Sequence, residues 1–370
     1  MKILADAHIP YLQGVAEQFG EVTYLPGKEF TKETVKDNDV LIVRTVTYFD
    51  EKILAGSNVK LICSATIGFD HIDTHYCEEN NIAWRTAPGC NASSVEQYVT
   101  TSIVRIAQKH NFELKDKTVG IVGVGNVGKK VARACQVLGM RVLLNDPPRQ
   151  EREKSDKFVD LATLQREADI ITFHTPLTKE GKHTTYHLAD ELFFNSLGKK
   201  PIVINSSRGA VVGNEALKSA LRKGKVMGAI IDTWENEPNI DNELLEMVDI
   251  ATPHIAGYSA DGKWNATKMS LETINKFFKL NKDPIELLPI VEPDKTVINL
   301  SQYSNEGQLA KALLYSYDPC EDSALLKESP NRFYHFRSHY PLRREYKAYT
   351  IENANKKTAA LAKELGFDIK

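Results

Sequence analysis

The chain has 370 residues, which is too long for one ordinary hydrophobic core, so two or three domains are expected. Hydrophobic residues make up 42%, charged residues 26%, and the net charge is −2, values that exclude both a disordered chain and nucleic-acid binding through overall charge. No apolar run approaches the ~18 residues of a membrane span, and no export signal is recognisable. The five scattered cysteines form no Cys-x-x-Cys pair, which is typical of free thiols in a reducing cytoplasm. We therefore expect a cytoplasmic protein whose partners include neither nucleic acid nor a membrane.

The first part of the chain alternates short β-rich runs with segments that can each carry one helix. The runs are 2–6, 21–25, 40–45, 61–66 and 82–86. This alternation predicts a parallel sheet, in which ligands bind at the carboxyl ends of the strands. Arg44, Thr45 and Thr66 lie at such ends. Taken singly, each is more simply explained as a polar residue that ends a strand.

Two histidines in this region, His71 and His75, are four residues apart in a predicted helix. That spacing could bind a metal ion, but the sequence offers no third ligand nearby. They are interpreted as surface histidines, and no metal site is predicted.

A glycine-rich turn follows an apolar run at 119–123 and precedes a helical pattern. Gly123 permits the tight turn, Gly125 lets the backbone approach a pyrophosphate, and Gly128 lets the helix pack on its strand. The next strand ends in Asp146, about 20 residues beyond the first glycine, where a ribose diol is held. Asp146 repels a 2′-phosphate, so NAD is favoured over NADP as the cofactor, and Arg149 is the one neighbouring residue that argues otherwise. The alternative is a glycine-rich turn in some other α/β sheet.

The strand and helix pattern continues after this turn and predicts a Rossmann fold. Its predicted strands are 119–123, 141–146, 170–175, 201–206, 228–232 and 250–254. Long helices are predicted from 95 to 108 and from about 260 to 280, and a proline-rich linker from 284 to 294 precedes a tail with one strand signal at 296–300. The predicted fold class is α/β, with two doubly wound parallel-sheet domains and a small α+β tail. The predicted domains are a flavodoxin-like substrate-binding domain at 1–94 and 257–285, an NAD-binding Rossmann domain at 95–256, and a C-terminal domain at 286–370.

Three residues with complementary chemistry follow neighbouring strands of the Rossmann domain. They are Arg208, Glu237 and His254. Since the carboxyl ends of parallel strands share one edge, these side chains are expected to face the nicotinamide. A guanidinium can grip a substrate carboxylate, an imidazole can take a hydroxyl proton, and a carboxylate can orient that imidazole. Each residue has an ordinary alternative, respectively a neighbour of a helix cap, a solvated loop acid and a core histidine. Together they favour oxidation of a 2-hydroxy acid.

Five segments together resemble the D-isomer-specific 2-hydroxyacid dehydrogenases. They are the glycine motif with Asp146, His174–Leu177, Asn205–Gly209, Asp232 with Glu237–Pro238, and Pro253–Gly257. The resemblance covers roughly 1–285 and implies NAD as cofactor, with Arg208 and Glu237 in the active site and His254 as the proton-transfer residue.

The same resemblance implies the contacts of the cofactor and the substrate. The implied cofactor contacts, together with the three glycines, are Asn126, Val127, Asp146, Thr175, Ser206, Ser207, Arg208, Asp232 and Gly257; the implied substrate contacts are Thr45, Thr66 and Tyr258. Two departures from the expected pattern occur at these contacts. Thr45 replaces a serine and keeps the hydroxyl, and Ser206–Ser207 replaces a pair of a small residue and a cysteine.

The tail carries a segment, His339–Glu345, that is similar to the C-terminal dimerisation domain of one member of that family. The resemblance therefore implies a homodimer that acts on a small phosphorylated 2-hydroxy acid. For the substrate phosphate, Arg44 is the first candidate ligand and the pair Arg343–Arg344 the second. The simpler interpretation of that pair is a solvated or interfacial salt bridge with Glu345.

Two rival functions are compatible with these motifs. A phosphoglycerate dehydrogenase of the same family would usually carry a compact β-α-β-β-α-β regulatory tail, whereas 300–349 is predicted to be mostly helical. A nicotinamide-sensing binding protein, like the corepressors that share this fold, would need no turnover and would usually carry long disordered tails, which this sequence lacks.

Overall fold

The computed structural model describes residues 1–282 and 284–370. The strands are β1 Lys2–Asp6, β2 Glu21–Leu25, β3 Val40–Val43, β4 Leu61–Ser64, β5 Ala83–Arg85, β6 Thr118–Val122, β7 Arg141–Asn145, β8 Ile170–Phe173, β9 Ile202–Asn205, β10 Gly228–Ile231, β11 Ile250–Ala251, β12 Val297–Asn299, β13 Thr350–Glu352 and β14 Asp368–Ile369.

The α-helices are α1 Lys32–Val35, α2 Glu51–Leu54, α3 Thr74–Glu79, α4 Ala92–His110, α5 Asn126–Val137, α6 Pro147–Glu153, α7 Leu161–Glu167, α8 Glu191–Asn195, α9 Asn214–Arg222, α10 Asn242–Met247, α11 Ala260–Phe278, α12 Gln308–Ser316, α13 Pro319–Glu328, α14 Phe333–Ser338 and α15 Lys356–Leu365. Throughout the two described ranges, no helix combines the length and the apolar character needed to cross a bilayer.

The chain forms two compact units, of which the first comprises Met1–Asn91 and Ser259–Val291. Its five-stranded parallel sheet has the order β2-β1-β3-β4-β5, which is the flavodoxin-like order. The central strands β3 and β4 are buried along their whole length, as their continuous Val, Leu and Ile runs predict. The long helix α11 packs on this sheet, where Leu271 and Ile274 join the core.

The second unit comprises Ala92–Tyr258 and Glu292–Lys370 and contains two parallel sheets. The larger sheet has the order β11-β10-β9-β8-β6-β7. Phe158 adds a single parallel bridge to Leu144 beyond β7, at the position of the third strand of a dinucleotide fold. The smaller sheet, β12-β13-β14, lies in the tail together with α12 to α15.

These sheets confirm the predicted fold class, including the small tail domain of mixed structure. The tail is mostly helical between Leu300 and Tyr349, as its sequence predicts. In the structure the tail belongs to the same compact unit as the Rossmann sheet. The three-domain division, with its boundaries at 94, 256 and 285, stays a prediction.

Candidate active site at the edge of the Rossmann sheet

The glycine turn lies between β6 and α5, at the point where the strand order reverses. Gly123 has φ +86°, and a Cβ atom there would lie 2.7 Å from the carbonyl oxygen of His174. A Cβ atom at Gly128 would lie 2.0 Å from the carbonyl oxygen of Gly123, so this glycine is required by helix packing. At Gly125, by contrast, a Cβ atom would meet no protein atom within 4 Å. Protein packing therefore does not explain Gly125, whereas close approach of a pyrophosphate to the backbone does.

The Asp146 side chain forms hydrogen bonds both with the glycine turn and with the first turn of α6. Its Oδ2 accepts a hydrogen bond of 2.8 Å from the Val124 N–H, and its Oδ1 accepts one of 3.1 Å from the Arg149 N–H, which caps α6. The Arg149 side chain donates to the Val124 carbonyl and, through Nε, to Glu153 at 2.6 Å. Arg149 is thus already bound to the protein, and a carboxylate rather than a cation stands where the ribose is expected.

Two hydroxyl groups near this turn are buried and have no hydrogen-bond partner within the protein. They are Thr175 Oγ1, just beyond β8, and Ser206 Oγ, just beyond β9. Buried polar atoms are nearly always paired, so unpaired hydroxyls along one sheet edge indicate a ligand with polar groups. Together with the open position at Gly125, they show that the residues present fit an NAD molecule. The neighbouring Ser207 differs, because its N–H and hydroxyl both donate to Asn205 Oδ1, at 3.2 and 2.9 Å.

Arg208 and the loop that carries Glu237 come together because Gly209 has no side chain. A Cβ atom at Gly209 would lie 2.0 Å from the backbone of Trp234, so the chain segment after β9 packs directly on the segment after β10. Asn205 secures this arrangement by donating from Nδ2 to the Arg208 carbonyl at 2.9 Å. The Arg208 guanidinium donates from Nη1 to the Ser207 carbonyl at 2.9 Å.

Asp232, at the end of β10, organises the loop that carries His254. Its carboxylate is 1% exposed and accepts hydrogen bonds from Thr252 Oγ1 at 2.7 Å, from the Ile255 N–H at 2.7 Å and from the Ala256 N–H at 3.1 Å. Burial raises the pKa of Asp232, against the influence of His254 and of these donors. The carboxylate thus has three protein donors, and a cofactor contact would use its remaining acceptor capacity.

His254 and Glu237 form a hydrogen-bonded pair at this edge. His254 Nδ1 lies 2.8 Å from Glu237 Oε2, and Glu237 Oε1 accepts a 2.8 Å bond from the Trp234 N–H. Burial, the strongest influence, would raise the pKa of Glu237, but a protonated His254, the Trp234 N–H and Arg337 together hold it below its ordinary value. The ionised carboxylate accepts from Nδ1–H, which leaves Nε2 as the nitrogen able to take a proton.

Tyr258, the predicted substrate contact of this unit, ends the same loop. Its hydroxyl accepts a 3.0 Å hydrogen bond from Nε of Arg337, and its ring packs edge-on against Tyr340 at a centroid distance of 6.2 Å. Gly257 precedes it and is half-buried. Asn126 and Val127 form the first turn of α5, directly after the glycine turn.

The two other predicted substrate contacts belong to the first unit. Thr45 follows β3 and is exposed, and Thr66 follows β4 and is half-buried. The Thr66 hydroxyl lies 2.7 Å from Ser64 Oγ, which in turn lies 3.1 Å from Nε2 of His71. The interpretation of His71 as a surface histidine is wrong: it is 6% exposed and precedes α3, and burial lowers its pKa to about 4. His75 is exposed and pairs with Glu79 at 3.2 Å.

The arginines considered for the substrate phosphate have protein partners. Arg44 forms a bidentate ion pair with Asp6, at 2.8 and 3.1 Å. Of the two alternatives for Arg343–Arg344, the solvated salt bridge is wrong, because both residues are 5% exposed, and the interfacial salt bridge with Glu345 stays a prediction. Arg343 donates to Ser94 and to the Ala256 carbonyl, and Arg344 pairs with Glu292 at 2.9 Å.

Sequence reasoning missed two residues that support this edge. Tyr98, on α4, lies with its hydroxyl 2.8 Å from Thr252 Oγ1 and so extends the Asp232 network into the core. Arg337, on α14, reaches both Tyr258 and Glu237. Neither residue follows a Rossmann strand, so the strand-end signal that found Arg208, Glu237 and His254 could not find them. In the part of the chain that the structure describes, no three His, Cys, Asp or Glu residues are grouped as a metal site.

Comparison with known families places this geometry in context. Residues 90–256 match the family described as D-isomer specific 2-hydroxyacid dehydrogenase, NAD binding domain, and residues 287–366 match a family described only as a domain of unknown function. Among solved structures, the NAD-bound 3-phosphoglycerate dehydrogenase of Entamoeba histolytica is 27% identical with a TM-score of 0.65, and covers 79% of this chain and 99% of its own. The D-lactate dehydrogenase of Aquifex aeolicus, solved with NAD and lactic acid, is 25% identical with a TM-score of 0.61, and covers 76% and 96%.

Full-length relatives are closer. The erythronate-4-phosphate dehydrogenase of Bacteroides fragilis is 52% identical and covers 95% of this chain and 99% of its own length. The enzymes of the same name from Porphyromonas gingivalis and Proteus mirabilis are 44% and 43% identical, and cover 99% and 100% of this chain and 100% and 99% of their own length.

The chain therefore belongs to the D-isomer-specific 2-hydroxyacid dehydrogenases and, among them, to the erythronate-4-phosphate dehydrogenase family. It is an NAD-dependent oxidoreductase. Three sequence segments favour that particular member: Pro88–Ala92, Asp146–Arg149 and His254–Tyr258. The relatives that match over nearly the whole chain confirm this resemblance. Their matches include the tail, where the segment His339–Glu345 lies.

Proposed function

We propose that this chain oxidises 4-phospho-D-erythronate to 3-hydroxy-2-oxo-4-phosphooxybutanoate with NAD, a step of pyridoxal 5′-phosphate (vitamin B6) biosynthesis. The observation that carries the proposal is the His254–Glu237 pair, with its 2.8 Å contact, at the same sheet edge as the glycine turn. The proposed identity of the substrate comes from the names of the relatives that match over nearly their whole length. NAD, when bound, accepts the hydride from C2.

His254 takes the proton of the C2 hydroxyl through Nε2 as the hydride leaves. Glu237 keeps the imidazole in the tautomer that carries its hydrogen on Nδ1, and its negative charge stabilises the imidazolium that forms. The Asp232 network fixes the loop of His254, so the ring is oriented before the substrate arrives. In the reductive direction the same residue returns the proton.

Arg208 binds the substrate carboxylate through the planar fork of its guanidinium, which matches two carboxylate oxygens. The segment packing at Gly209 keeps it beside the Glu237 loop. The rest of the substrate is bound through hydrogen bonds with the hydroxyl groups of Thr45, Thr66 and Tyr258. Arg44 remains the candidate for the phosphate, because its ion pair with Asp6 uses Nε and Nη2 and its side chain is still 34% exposed.

The cofactor is held by the glycine turn and by polar groups along the same edge. The N–H groups at the start of α5, Asn126 and Val127 among them, bind the pyrophosphate, since a helix N-terminus favours anions. Asp146 binds the ribose diol, and the unpaired hydroxyls of Thr175 and Ser206 find their partners on the cofactor. The backbone of Ser207 and Arg208, Asp232 and Gly257 complete the set.

The proposal includes a cytoplasmic homodimer without nucleic-acid or membrane partners. The net charge of −2 and the five free cysteines, four of them buried, support that setting. Support for the dimer comes from large apolar side chains that the tail exposes, among them Tyr334 at 58%, Leu325 at 50% and Leu342 at 49%. An exposed apolar patch is typical of an association surface, which makes the tail the place to look for the dimer contact.

The experiment that tests the substrate is NADH formation with 4-phosphoerythronate, 3-phosphoglycerate and unphosphorylated D-hydroxy acids. We expect the highest kcat/KM with 4-phosphoerythronate. A preference for 3-phosphoglycerate would contradict the proposal in favour of the phosphoglycerate enzyme. NADH binding without turnover of any acid would instead indicate the nicotinamide-sensing protein.

A further inference from the structure

The C-terminal segment places one arginine against the candidate active site. Arg337 lies on α14, donates from Nε to the Tyr258 hydroxyl at 3.0 Å, and holds Nη1 3.7 Å from Oε2 of Glu237. The same carboxylate oxygen lies 2.8 Å from His254 Nδ1. Glu237 Oε2 is therefore shared by two cationic side chains when His254 is protonated.

The other arginines of this part of the tail have different surroundings. Arg343 is buried beneath the His254 loop and stacks on Tyr317 at 4.4 Å. Arg344 pairs with Glu292, and Arg332 is exposed and lies over the ring of Phe336 at 4.8 Å. Arg337 differs from these three in touching residues to which we assign roles in the reaction, and its side chain is 29% exposed.

We propose that Arg337 is a positioning residue of the dehydrogenase reaction. It fixes the position of the Tyr258 hydroxyl and holds the Glu237 carboxylate in the orientation in which it pairs with His254. The proposal rests on the roles assigned above to Glu237, His254 and Tyr258. It makes the C-terminal segment a working part of the active site in addition to its proposed part in dimer formation.

The physical reason is the fixed geometry of the guanidinium. Its planar fork lets one side chain hold a hydroxyl through Nε and face a carboxylate through Nη1, so the positions of Tyr258 and Glu237 become linked. A carboxylate that can rotate would lose its hold on the Nδ1 hydrogen of His254. The positive charge also favours the ionised form of Glu237 in a partly buried setting.

The test is a double-mutant cycle of Arg337→Gln and Tyr258→Phe, with kcat, KM and NADH affinity measured for each variant. Arg337→Gln is expected to lower kcat roughly 10- to 100-fold, the usual range for a hydrogen bond to a charged group, with NADH affinity unchanged. The combined variant should lose less than the product of the two single losses, because both changes break one contact. Arg337→Lys, which keeps the charge without the fork, should recover part of kcat.

The pH dependence separates positioning from a general disturbance of the fold. The charged groups that act on Glu237 are His254 and Arg337, and Arg337 in turn interacts with Tyr258 and Asp232. Removing the positive charge of Arg337 takes away one of the influences that hold the pKa of Glu237 down, so the acid limb of kcat/KM for oxidation should move to higher pH. Tyr258→Phe changes no charge there and should leave that limb in place.

Arg332→Gln is the matched control, since it removes an exposed arginine of the neighbouring turn. The proposal is overturned if Arg337→Gln stays within twofold of the wild type, if its loss equals that of Arg332→Gln, or if NADH affinity falls in parallel with kcat. A loss confined to phosphorylated substrates also overturns it, because that result assigns Arg337 to the phosphate. The cycle is run on whichever D-2-hydroxy acid the wild type oxidises fastest, so a wrong substrate assignment does not affect its outcome.

Discussion

Both large sheets of this protein are parallel and place polar residues at the carboxyl ends of their strands, but these residues are used differently. In the five-stranded sheet the strand-end hydroxyl groups of Ser64 and Thr66 are paired, with each other and with His71, and Asp6 at the end of β1 binds Arg44 beyond β3. In the six-stranded sheet, Thr175 Oγ1 and Ser206 Oγ are buried without a protein partner.

The difference teaches how to tell a binding edge from a merely polar edge. A buried hydroxyl without a partner costs about 1–3 kcal/mol, so two of them at neighbouring strand ends beside the glycine turn indicate that a ligand supplies the missing bonds. A paired residue can be explained by stability alone. We call the strand ends of the six-stranded sheet the binding edge and those of the five-stranded sheet the paired edge. Mutations at the binding edge are expected to cost more activity than mutations at the paired edge.

The largest effect is expected at the edge with the His254–Glu237 pair. His254→Asn should lower kcat ~10²–10⁴-fold, because it removes the group that takes the C2 hydroxyl proton, while NADH binding persists. Steady-state kinetics and NADH fluorescence titration measure the two quantities. His75→Asn, at an exposed histidine of α3, serves as the control. Near-normal turnover by His254→Asn would remove this residue from the mechanism and would weaken the contrast between the edges.

The second effect concerns the cofactor. Asp146→Ala removes an acceptor for the ribose diol and a charge that repels a 2′-phosphate, so NAD should bind roughly 10-fold more weakly and the preference for NAD over NADP should narrow. Asp146 also caps α6, and Asp160→Ala therefore provides a control that removes only a cap, that of α7. If the ratio of kcat/KM values for NAD and NADP is the same before and after the change, Asp146 does not select the cofactor.

The third effect tests whether the paired edge also binds a ligand. Arg44→Ala should lower kcat/KM for 4-phosphoerythronate several-fold and leave unphosphorylated erythronate unaffected; the loss is smaller than that of a full charged hydrogen bond because the guanidinium is already shared with Asp6. Lys60→Ala, which breaks an exposed ion pair with Asp39, is the control. An equal loss on both substrates, or none on either, would show that Arg44 serves only to balance Asp6.

The smallest effect is expected on stability and concerns neither strand edge. It is predicted for Glu96, a buried acid on α4 that serves as a contrast to the acids at the strand ends. Burial raises the pKa of Glu96 to about 7 in the folded protein. Its contribution to stability is therefore fully present below about pH 4.5 and is lost as the pH rises through about 7. Glu96→Gln should raise the free energy of unfolding at pH 8 by about 1–3 kcal/mol and change little at pH 4.5.

Urea unfolding at the two pH values measures this difference, and the exposed Glu113→Gln is the control. Activity should be unchanged, since Glu96 is assigned no part in the reaction. An equal stability change at both pH values would show that Glu96 does not titrate in this way.

Sequence alone determined the parts of this protein that depend on local pattern. Continuous apolar runs predicted β3, β4 and the Rossmann strands, because a strand covered on both faces must be apolar throughout. The glycine motif predicted the turn before α5, and the rule that parallel strand ends share an edge placed Arg208, Glu237 and His254 on one edge. The fold class and the candidate acid–base pair follow from such patterns, and the family follows from the resemblance of five motif segments.

Only the tertiary structure decided which polar groups pair. It buried His71, bound Arg44 to Asp6, buried Arg343 beneath Ala256 and brought Arg337 to Glu237. The last two contacts join a segment beyond residue 330 to strand ends roughly 80 to 100 residues earlier, and no spacing or periodicity encodes such a meeting. The physical reason is that side-chain pairing depends on the packed positions of distant elements, whereas strand, turn and helix signals depend on neighbours along the chain.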